Sequence, residues 1–465
     1  MLILNVRNTL GIAVKFSEKE IQDHIWKNRD HFSELLVDPA GLEETLFAED
    51  LSDVTAQALV KNRIVKKLSE FHSKLYSLEL IGCEIPLEQE LNSTIRADFL
   101  ATFPGNTGIG IVELKKSSQT ERQAFTELLA YSNHLSTLFP GMSREDSVYI
   151  LISPMTTRIA RDAVIQSMTF DNRIIVALIP TLDNPDDINT LRLELWIPTD
   201  NELATFSNVA FREDNFSVCK VVWKYSEGWW DASKGEDPSS GLVEQLNSVS
   251  AIAAQHMEEA GIHGFAYCSQ VWSELEPVLP YTNALVLVGL NPYAVGSTQF
   301  LSKNKSISDD ELPSPQAYMP NISEIIPGLN NSAASIHQKY HYLEDLYSVW
   351  DSQLFRIGKL VVDSSTMTHS GHSLPTDQGF MDWHIYQRQF LEDTSCHNFL
   401  VRPTGIVRQL YLDVMNLDYE LSGKIGVENH PIHGDIPYNA IEFLTSQHYF
   451  RQFILRMLGD GDDAF

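Results

Sequence analysis

Residues 95–116 read IRADFLATFPGNTGIGIVELKK, and this stretch predicts two neighbouring strands joined by a tight turn. Apolar and polar side chains alternate strictly in the first strand, so Asp98 falls on the face opposite the phenylalanines. In the second strand Glu113 and Lys115 are two residues apart and share a face, while Leu114 points the other way into a core. The pattern therefore indicates two acids and one amine brought together by a β-hairpin.

Helical patterns flank this hairpin. Residues 54–80 repeat apolar side chains at helical spacing, and TERQAFTELLAYSNHL (residues 120–135) predicts an amphipathic helix with Thr120 as its N-cap. From residue 54 to about 200 the predicted order is α-β-β-β-α-β-α-β-β. That order favours an α/β domain with a mixed sheet and flanking helices.

Three regions follow from this reading of the chain. Residues 1–53 form a lead segment, residues 54–200 the α/β core, and residues 201–465 a larger α+β region whose role the sequence does not indicate. No stretch of about 18 apolar residues occurs, so we expect no membrane-spanning helix. Four scattered cysteines without a CxxC pair argue against a zinc ribbon or a disulfide framework and fit a reducing cytoplasm.

The charge balance limits the partners. The net charge is −28, with 62 acidic against 34 basic residues, and such a surface repels bulk nucleic acid and membranes. Nucleic acid would therefore need a local basic cleft, or basic surface on another subunit. We accordingly expect the chain to work as a homo-oligomer or beside a partner subunit, and to attract divalent cations.

The hairpin resembles the core of the PD-(D/E)XK nuclease superfamily, which carries Asp on one strand and Glu-x-Lys on the next. Here IRADF supplies Asp98 and VELKK supplies Glu113 and Lys115, and the resemblance covers residues 54–200. Ala97 stands where the family has proline. The hairpin also resembles nuclease domains of bacterial anti-phage systems such as Shedu. The resemblance implies a restriction-endonuclease type fold, Mg²⁺ (or Mn²⁺) held by Asp98 and Glu113, and Lys115 orienting the attacking water.

Further residues are candidates for supporting roles. In the RecB-like branch a downstream helix supplies Gln or Tyr, and Gln123 and Tyr131 are available here, eight residues apart, with Glu127 at the usual Tyr position. Their helix face lines a cleft or faces water. Glu70 is either a further metal ligand or a partner of nearby lysines on a solvated helix. Glu90 approaches the metal or is exposed.

These observations predict a cytoplasmic, Mg²⁺-dependent endonuclease that hydrolyses phosphodiester bonds, with DNA as the expected substrate and bacterial antiviral defence as the expected setting. The acidity motivates an alternative: a catalytically inactive nuclease-fold subunit that binds or assembles within a larger complex. Metal binding separates the two, because only the enzyme requires it.

Overall fold

A computed structural model describes most of the chain and divides it into two compact units. The first unit comprises Met1–Thr45 and Val60–Leu203, and the second comprises Leu46–Leu59 and Ala204–Phe465. The residues described are 15–39, 42, 55–86, 96–103, 108–143, 146–171, 173–207, 209–224, 240–275, 277–279, 281–305, 318–326, 342–367, 376–381, 383–390, 395–426, 429 and 446–458. Among these residues, no helix is both long enough and apolar enough to cross a bilayer.

The first unit is an α/β arrangement. Its helices and strands, in chain order, are α1 (Glu18–Lys27), β1 (Leu36–Val37), α2 (Ala56–Leu75, which begins in the second unit), β2 (Glu79–Pro86), β3 (Arg96–Thr102), β4 (Ile109–Leu114), α3 (Ser118–Leu138), β5 (Ser147–Ile152), α4 (Arg158–Thr169), β6 (Ile175–Leu182) and β7 (Leu191–Leu195). From α2 to β7 this order confirms the α-β-β-β-α-β-α-β-β prediction.

Seven strands form one mixed sheet in the order β1-β7-β6-β5-β4-β3-β2. The pairs β4/β5, β5/β6 and β1/β7 are parallel, whereas β2/β3, β3/β4 and β6/β7 are antiparallel. Every residue of β5 is buried, and β4 is buried at all positions after its first. The hairpin β3/β4 therefore feeds its second strand into the centre of the sheet, where a charged side chain is costly.

The lead segment is continuous with this sheet over its described residues. Leu36 and Val37 of β1 pair in parallel with Leu193 and Glu194 of β7, and so extend the sheet at one edge. The first unit accordingly includes residues that the sequence had placed ahead of the core. The later boundary, near residue 203, lies close to the expected one at 200.

Helix α3 begins earlier than predicted and is anchored by a buried carboxylate. Ser117, not Thr120, is its N-cap residue. Glu121, fully buried, accepts hydrogen bonds from the Ser153 hydroxyl at 2.8 Å and from the Thr157 hydroxyl and N–H at 2.7 and 3.0 Å. Burial raises the pKa of Glu121, but these donors outweigh it and hold the pKa below its usual value. Glu121 thus joins the start of α3 to the turn between β5 and α4.

The second unit is built on an antiparallel sheet. Its elements are α5 (Asp200–Ser207, which begins in the first unit), β8 (Phe216–Trp223), α6 (Ser240–Glu259), β9 (Gly264–Val271), β10 (Asn283–Leu290), α7 (Pro292–Lys305), α8 (Ile322–Ile325), α9 (Leu343–Thr366), β11 (Thr376–Met381), α10 (Trp383–Phe390), β12 (Cys396–Asn398), β13 (Arg402–Thr404), α11 (Gly405–Ile425) and α12 (Gln447–Leu458). Its strands lie in the order β11-β8-β10-β9-β12, with β13 also on β9. Strands β9 and β10 are buried throughout, and α6 and α9 pack on one face of this sheet.

Candidate active site

The β3/β4 hairpin places Asp98 where the two strands stop pairing. Their register runs from Thr102 opposite Ile109 to Phe99 opposite Val112. Just beyond that pairing, the N–H of Leu114 donates to Asp98 Oδ2 at 2.8 Å. The side chain of Asp98 thus holds the end of β4 directly, and its orientation is fixed by the backbone.

Glu113 and Lys115 lie on one face of β4 and its extension, as the alternation predicts. Glu113 is 2% exposed and Lys115 is 8% exposed, while Leu114 between them is fully buried on the opposite side. The ammonium of Lys115 donates to Glu113 Oε1 and lies 2.8 Å from Glu127 Oε2, which α3 contributes. We call Asp98, Glu113, Lys115 and Glu127 the hairpin cluster.

Negative charge exceeds positive charge in the hairpin cluster. Burial, then the charge of Asp98 and a hydrogen bond with Glu127, raise the pKa of Glu113 to about 9, against the opposing effect of Lys115. Burial also raises the pKa of Asp98. Burial lowers the pKa of Lys115, but its contacts with Glu113 and Glu127 outweigh this and raise it. Three carboxyl groups therefore share one ammonium, and a proton or a further cation must offset the difference.

The oxygen donors of the hairpin cluster suit a hard divalent cation. Glu113 Oε2 is buried and, as a carboxylate oxygen, has no hydrogen-bond donor among the described residues. Among those residues, no three or more Asp, Glu, His or Cys side chains are grouped closely enough to enclose an ion alone. Mg²⁺ is commonly held by only one or two carboxylates and completed by water and substrate phosphate. Asp98 and Glu113 fit that arrangement.

Helix α1 adds two residues that the sequence analysis missed. Gln22, 4% exposed, donates to Asp98 Oδ1 at 3.1 Å. One turn earlier, Glu18 accepts from the N–H of Lys116 at 3.2 Å, and its charge further raises the pKa of Asp98. The available signal was local: Ser17 and Glu20 form a capping box, which fixes the start of the helix and puts Glu18 and Gln22 on one face.

The residues predicted to support the site lie in different environments in the structure. Tyr131 is buried and donates to the carbonyl of Arg96 at 2.6 Å; burial and then the charges of Glu113 and Glu127 raise its pKa. Gln123 is exposed on α3 and Glu70 is exposed on α2, and neither is among the described contacts of the hairpin cluster. Glu90 lies outside the described residues. Tyr131 therefore lies beside the hairpin cluster, to which Glu127 belongs, whereas Gln123 faces water.

Replacing Gln22 with alanine should loosen Asp98 without unfolding the chain. A hydrogen-bond partner one step removed from a metal ligand typically contributes about 10- to 100-fold in metal affinity. We expect a loss of about tenfold in Mn²⁺ affinity, measured by calorimetric titration. Lys27→Ala, at an exposed position on the same helix, is the control and should leave the affinity unchanged. Equal affinities in Gln22→Ala and in the unaltered protein would contradict a positioning role.

The arrangement can perform one kind of chemistry with the groups it presents. Two carboxyl groups at the ends of adjacent strands can share a divalent cation, and a neighbouring ammonium can hold water or offset negative charge. Gln22 of α1 donates a hydrogen bond to the carboxyl of Asp98, and Glu127 of α3 forms an ion pair with the ammonium of Lys115. No protein-family model, curated protein or solved structure matches this chain in the comparisons with known proteins.

Proposed function

We propose that this chain is a Mg²⁺-dependent endonuclease of the PD-(D/E)XK type, with DNA as its substrate. The single observation that carries the proposal is the juxtaposition of Asp98, Glu113 and Lys115 at the open end of the β3/β4 hairpin. The pKa values of Asp98 and Glu113 are both raised, and Glu113 Oε2 is buried without a hydrogen-bond donor among the described residues. Such an arrangement is unfavourable for folding, and groups with strongly shifted pKa values cluster at functional sites. The mixed sheet with flanking helices supports a restriction-endonuclease type fold.

Each residue has a separate task in the proposed reaction. Asp98 and Glu113 would hold the cation, which polarises the scissile phosphate and lowers the pKa of bound water. Lys115 would orient the attacking water and offset charge that develops on the phosphate. Glu127 would keep the ammonium of Lys115 near the reacting atoms after Glu113 turns to the cation. Gln22 would keep Asp98 aimed at the same point.

The surroundings of this reaction are part of the proposal. With a net charge of −28, DNA binding calls for basic surface from a second copy of the chain or from a partner subunit. All four cysteines are free thiols, which supports a cytoplasmic location. The resemblance to anti-phage nucleases supports a role in bacterial defence, and plaque counts on cells with and without the gene test that role.

Cleavage by the full chain tests the catalytic proposal. Plasmid DNA, linear DNA and RNA are incubated with the protein in Mg²⁺, in Mn²⁺ and in EDTA. We expect metal-dependent cutting of DNA that falls at least about 100-fold in Lys115→Ala, the scale of a lost electrostatic group. Lys66→Ala, an exposed lysine on α2, should cut normally. Equal cutting by Lys115→Ala, or no cutting of any substrate by the unaltered protein, would overturn the assignment.

The acidity favours a second candidate, a nuclease-fold subunit without catalysis that binds or assembles in a larger complex. In the hairpin cluster the ammonium of Lys115 contacts both Glu113 and Glu127, so the carboxyl groups already have one cation beside them. Calorimetry with no Mg²⁺ or Mn²⁺ heat, alongside intact binding to nucleic acid or protein, would select this candidate.

A further inference from the structure

A groove between α3 and α4 lies on the same sheet face as Glu113. It consists of two adjoining cavities of about 370 and 190 Å³ that share Tyr149 and Arg173. Tyr149 of β5 pairs with Ile111 of β4, two residues before Glu113, which places the groove farther along the same strands. We call this space the α3–α4 groove. Its larger cavity falls within the size range of small-molecule sites.

The two cavities differ in chemistry. Apolar side chains dominate the walls of the larger one: Phe125, Leu128, Leu129 and Ile175. Hydroxyl and amide side chains line the smaller one: Ser132, Asn133, Ser136, Ser143 and Ser147. The hydroxyl of Tyr149 donates to Ser132 Oγ at 2.6 Å and lies 2.9 Å from Ser147 Oγ, so its ring forms the boundary between the two. A ligand that fills both must have an apolar body and a polar end.

Arg173 determines the charge of that polar end. It is half-buried, and its backbone N–H donates to the carbonyl of Ser167 at 2.9 Å. Among the described residues, its guanidinium has neither a hydrogen-bond partner nor an ion-pair partner. In a chain with 62 acidic and 34 basic residues, a guanidinium that forms no ion pair among the described residues can take an anionic ligand. Guanidinium and hydroxyl groups together bind phosphate well.

We propose that the α3–α4 groove binds a small phosphate ester with a planar apolar body, of the size and chemistry of a nucleoside monophosphate. The ring system lies against Phe125 and Tyr149 in the larger cavity, where aromatic stacking adds to burial. Gln166, which also lines that cavity, offers an amide to the polar edge of a base. The phosphate reaches Arg173 and the hydroxyls of the smaller cavity.

The position of the groove links it to the hairpin cluster, and this step rests on the proposed function. On α3, Leu128 of the groove follows Glu127 of the cluster, and Ser132 follows Tyr131. An occupant wedged between α3 and α4 therefore fixes the helix that holds Lys115. Ligand binding should consequently change the rate of cutting.

Binding is measured first, without any dependence on cutting. The full chain in EDTA, which keeps metal away from the hairpin cluster, is titrated calorimetrically with AMP, GMP, CMP, UMP, phenyl phosphate, adenosine and inorganic phosphate. We expect at least one nucleotide or phenyl phosphate to bind at least about tenfold more tightly than inorganic phosphate or adenosine, because both halves of the ligand contribute. No binding by any phosphate ester would overturn the proposal.

Two variants locate the bound ligand. Arg173→Ala should weaken the best phosphate ester by about tenfold or more, since a charge-assisted bond is lost. Leu129→Glu places a carboxylate at the mouth of the apolar cavity and should abolish binding; Leu129 is 46% exposed, so the fold tolerates the change. Arg158→Ala, an exposed arginine on α4 outside the groove, is the matched control and should bind normally. Unchanged binding in both groove variants would show that the ligand sits elsewhere.

Cutting assays then distinguish the two proposals. If ligand alters DNA cutting by the unaltered protein and not by Leu129→Glu, both the groove and its coupling stand. If the groove binds its ligand but no DNA is cut, the proposed nuclease fails and the binding site remains. If DNA is cut and no phosphate ester binds, the groove proposal alone fails.

Discussion

Glu113→Gln is expected to abolish metal-dependent cutting while making the metal-free protein more stable. The substitution removes one of three carboxyl groups that crowd a single ammonium in a buried position. Because burial and Asp98 raise the pKa of Glu113 to about 9, folding must disfavour its ionised form near neutral pH, and the amide removes that cost; we expect a gain of roughly 1–3 kcal/mol in the free energy of unfolding. Lys115 keeps Glu127 as its partner, so its ammonium stays paired.

The two effects of Glu113→Gln are measured separately. Cutting in Mg²⁺ should fall by at least about 100-fold, the scale of a lost electrostatic group at a reacting centre. Thermal unfolding in EDTA should shift upward by a few degrees, because about 1 kcal/mol corresponds to about 2–4 °C in a domain of this size. Glu79→Gln makes the same change at an exposed position in β2 and should alter neither quantity. A variant that both cuts and is less stable would show that Glu113 is structural.

Glu121→Ala is expected to produce the largest loss of stability in the first unit. The alanine leaves the Ser153 hydroxyl and the N–H groups of Thr156 and Thr157 without their acceptor inside the protein. Stranding donors that served a buried carboxylate costs on the order of 3–5 kcal/mol. Hydrogen exchange of β5 amides reports this loss for the first unit itself, since a chain with two units need not unfold in one step. Glu79→Ala is the exposed control.

The contribution of Glu121 should depend on pH in a defined direction. Its pKa is lowered in the folded chain, so the folded state binds a proton less readily than the unfolded state. The stabilisation is therefore fully present above the unfolded pKa, near 4.3, and is lost as the pH falls below it. Glu121→Gln should be clearly less stable than the unaltered protein at pH 7 and nearly equal to it at the lowest pH where both fold. A stability difference that grows on acidification would contradict this account.

Alternation in the sequence was sufficient to predict the hairpin and the grouping of its three polar residues. A strand has a period of two, so Asp98, Glu113 and Lys115 had to leave the core face together. The element order and the mixed sheet are confirmed for the same reason, because apolar periodicity dominates in long, regular segments. The prediction of Thr120 as the N-cap of α3 was wrong, because Ser117, Ser118 and Thr120 are all acceptable N-cap residues and the local sequence does not distinguish between them.

Contacts between segments that are distant in the chain could not be predicted from the sequence. Gln22 meets Asp98 across 76 positions of chain, and only the packing of α1 brings them together. Glu127 is part of a polar stripe that periodicity alone could assign to water or to a cleft. Its pairing with Lys115 depends on how α3 crosses β4. The position of Arg173 in the α3–α4 groove is likewise a property of the fold, since nothing in the sequence near residue 173 indicates a cavity.

The hydrogen bond from Gln22 of α1 to Asp98 has a practical consequence for the choice of truncated fragments. A fragment limited to residues 54–200, the span that the hairpin pattern suggests, would begin after α1 and β1. It would lack the hydrogen bond from the Gln22 amide to Asp98. It would also leave one edge of β7 without a paired strand, and exposed strand edges promote aggregation. A shortened protein should therefore begin before Ser17, the N-cap of α1. Inactivity of a shorter fragment would reflect the loss of the contact between Gln22 and Asp98, and would say nothing about the chemistry of the hairpin.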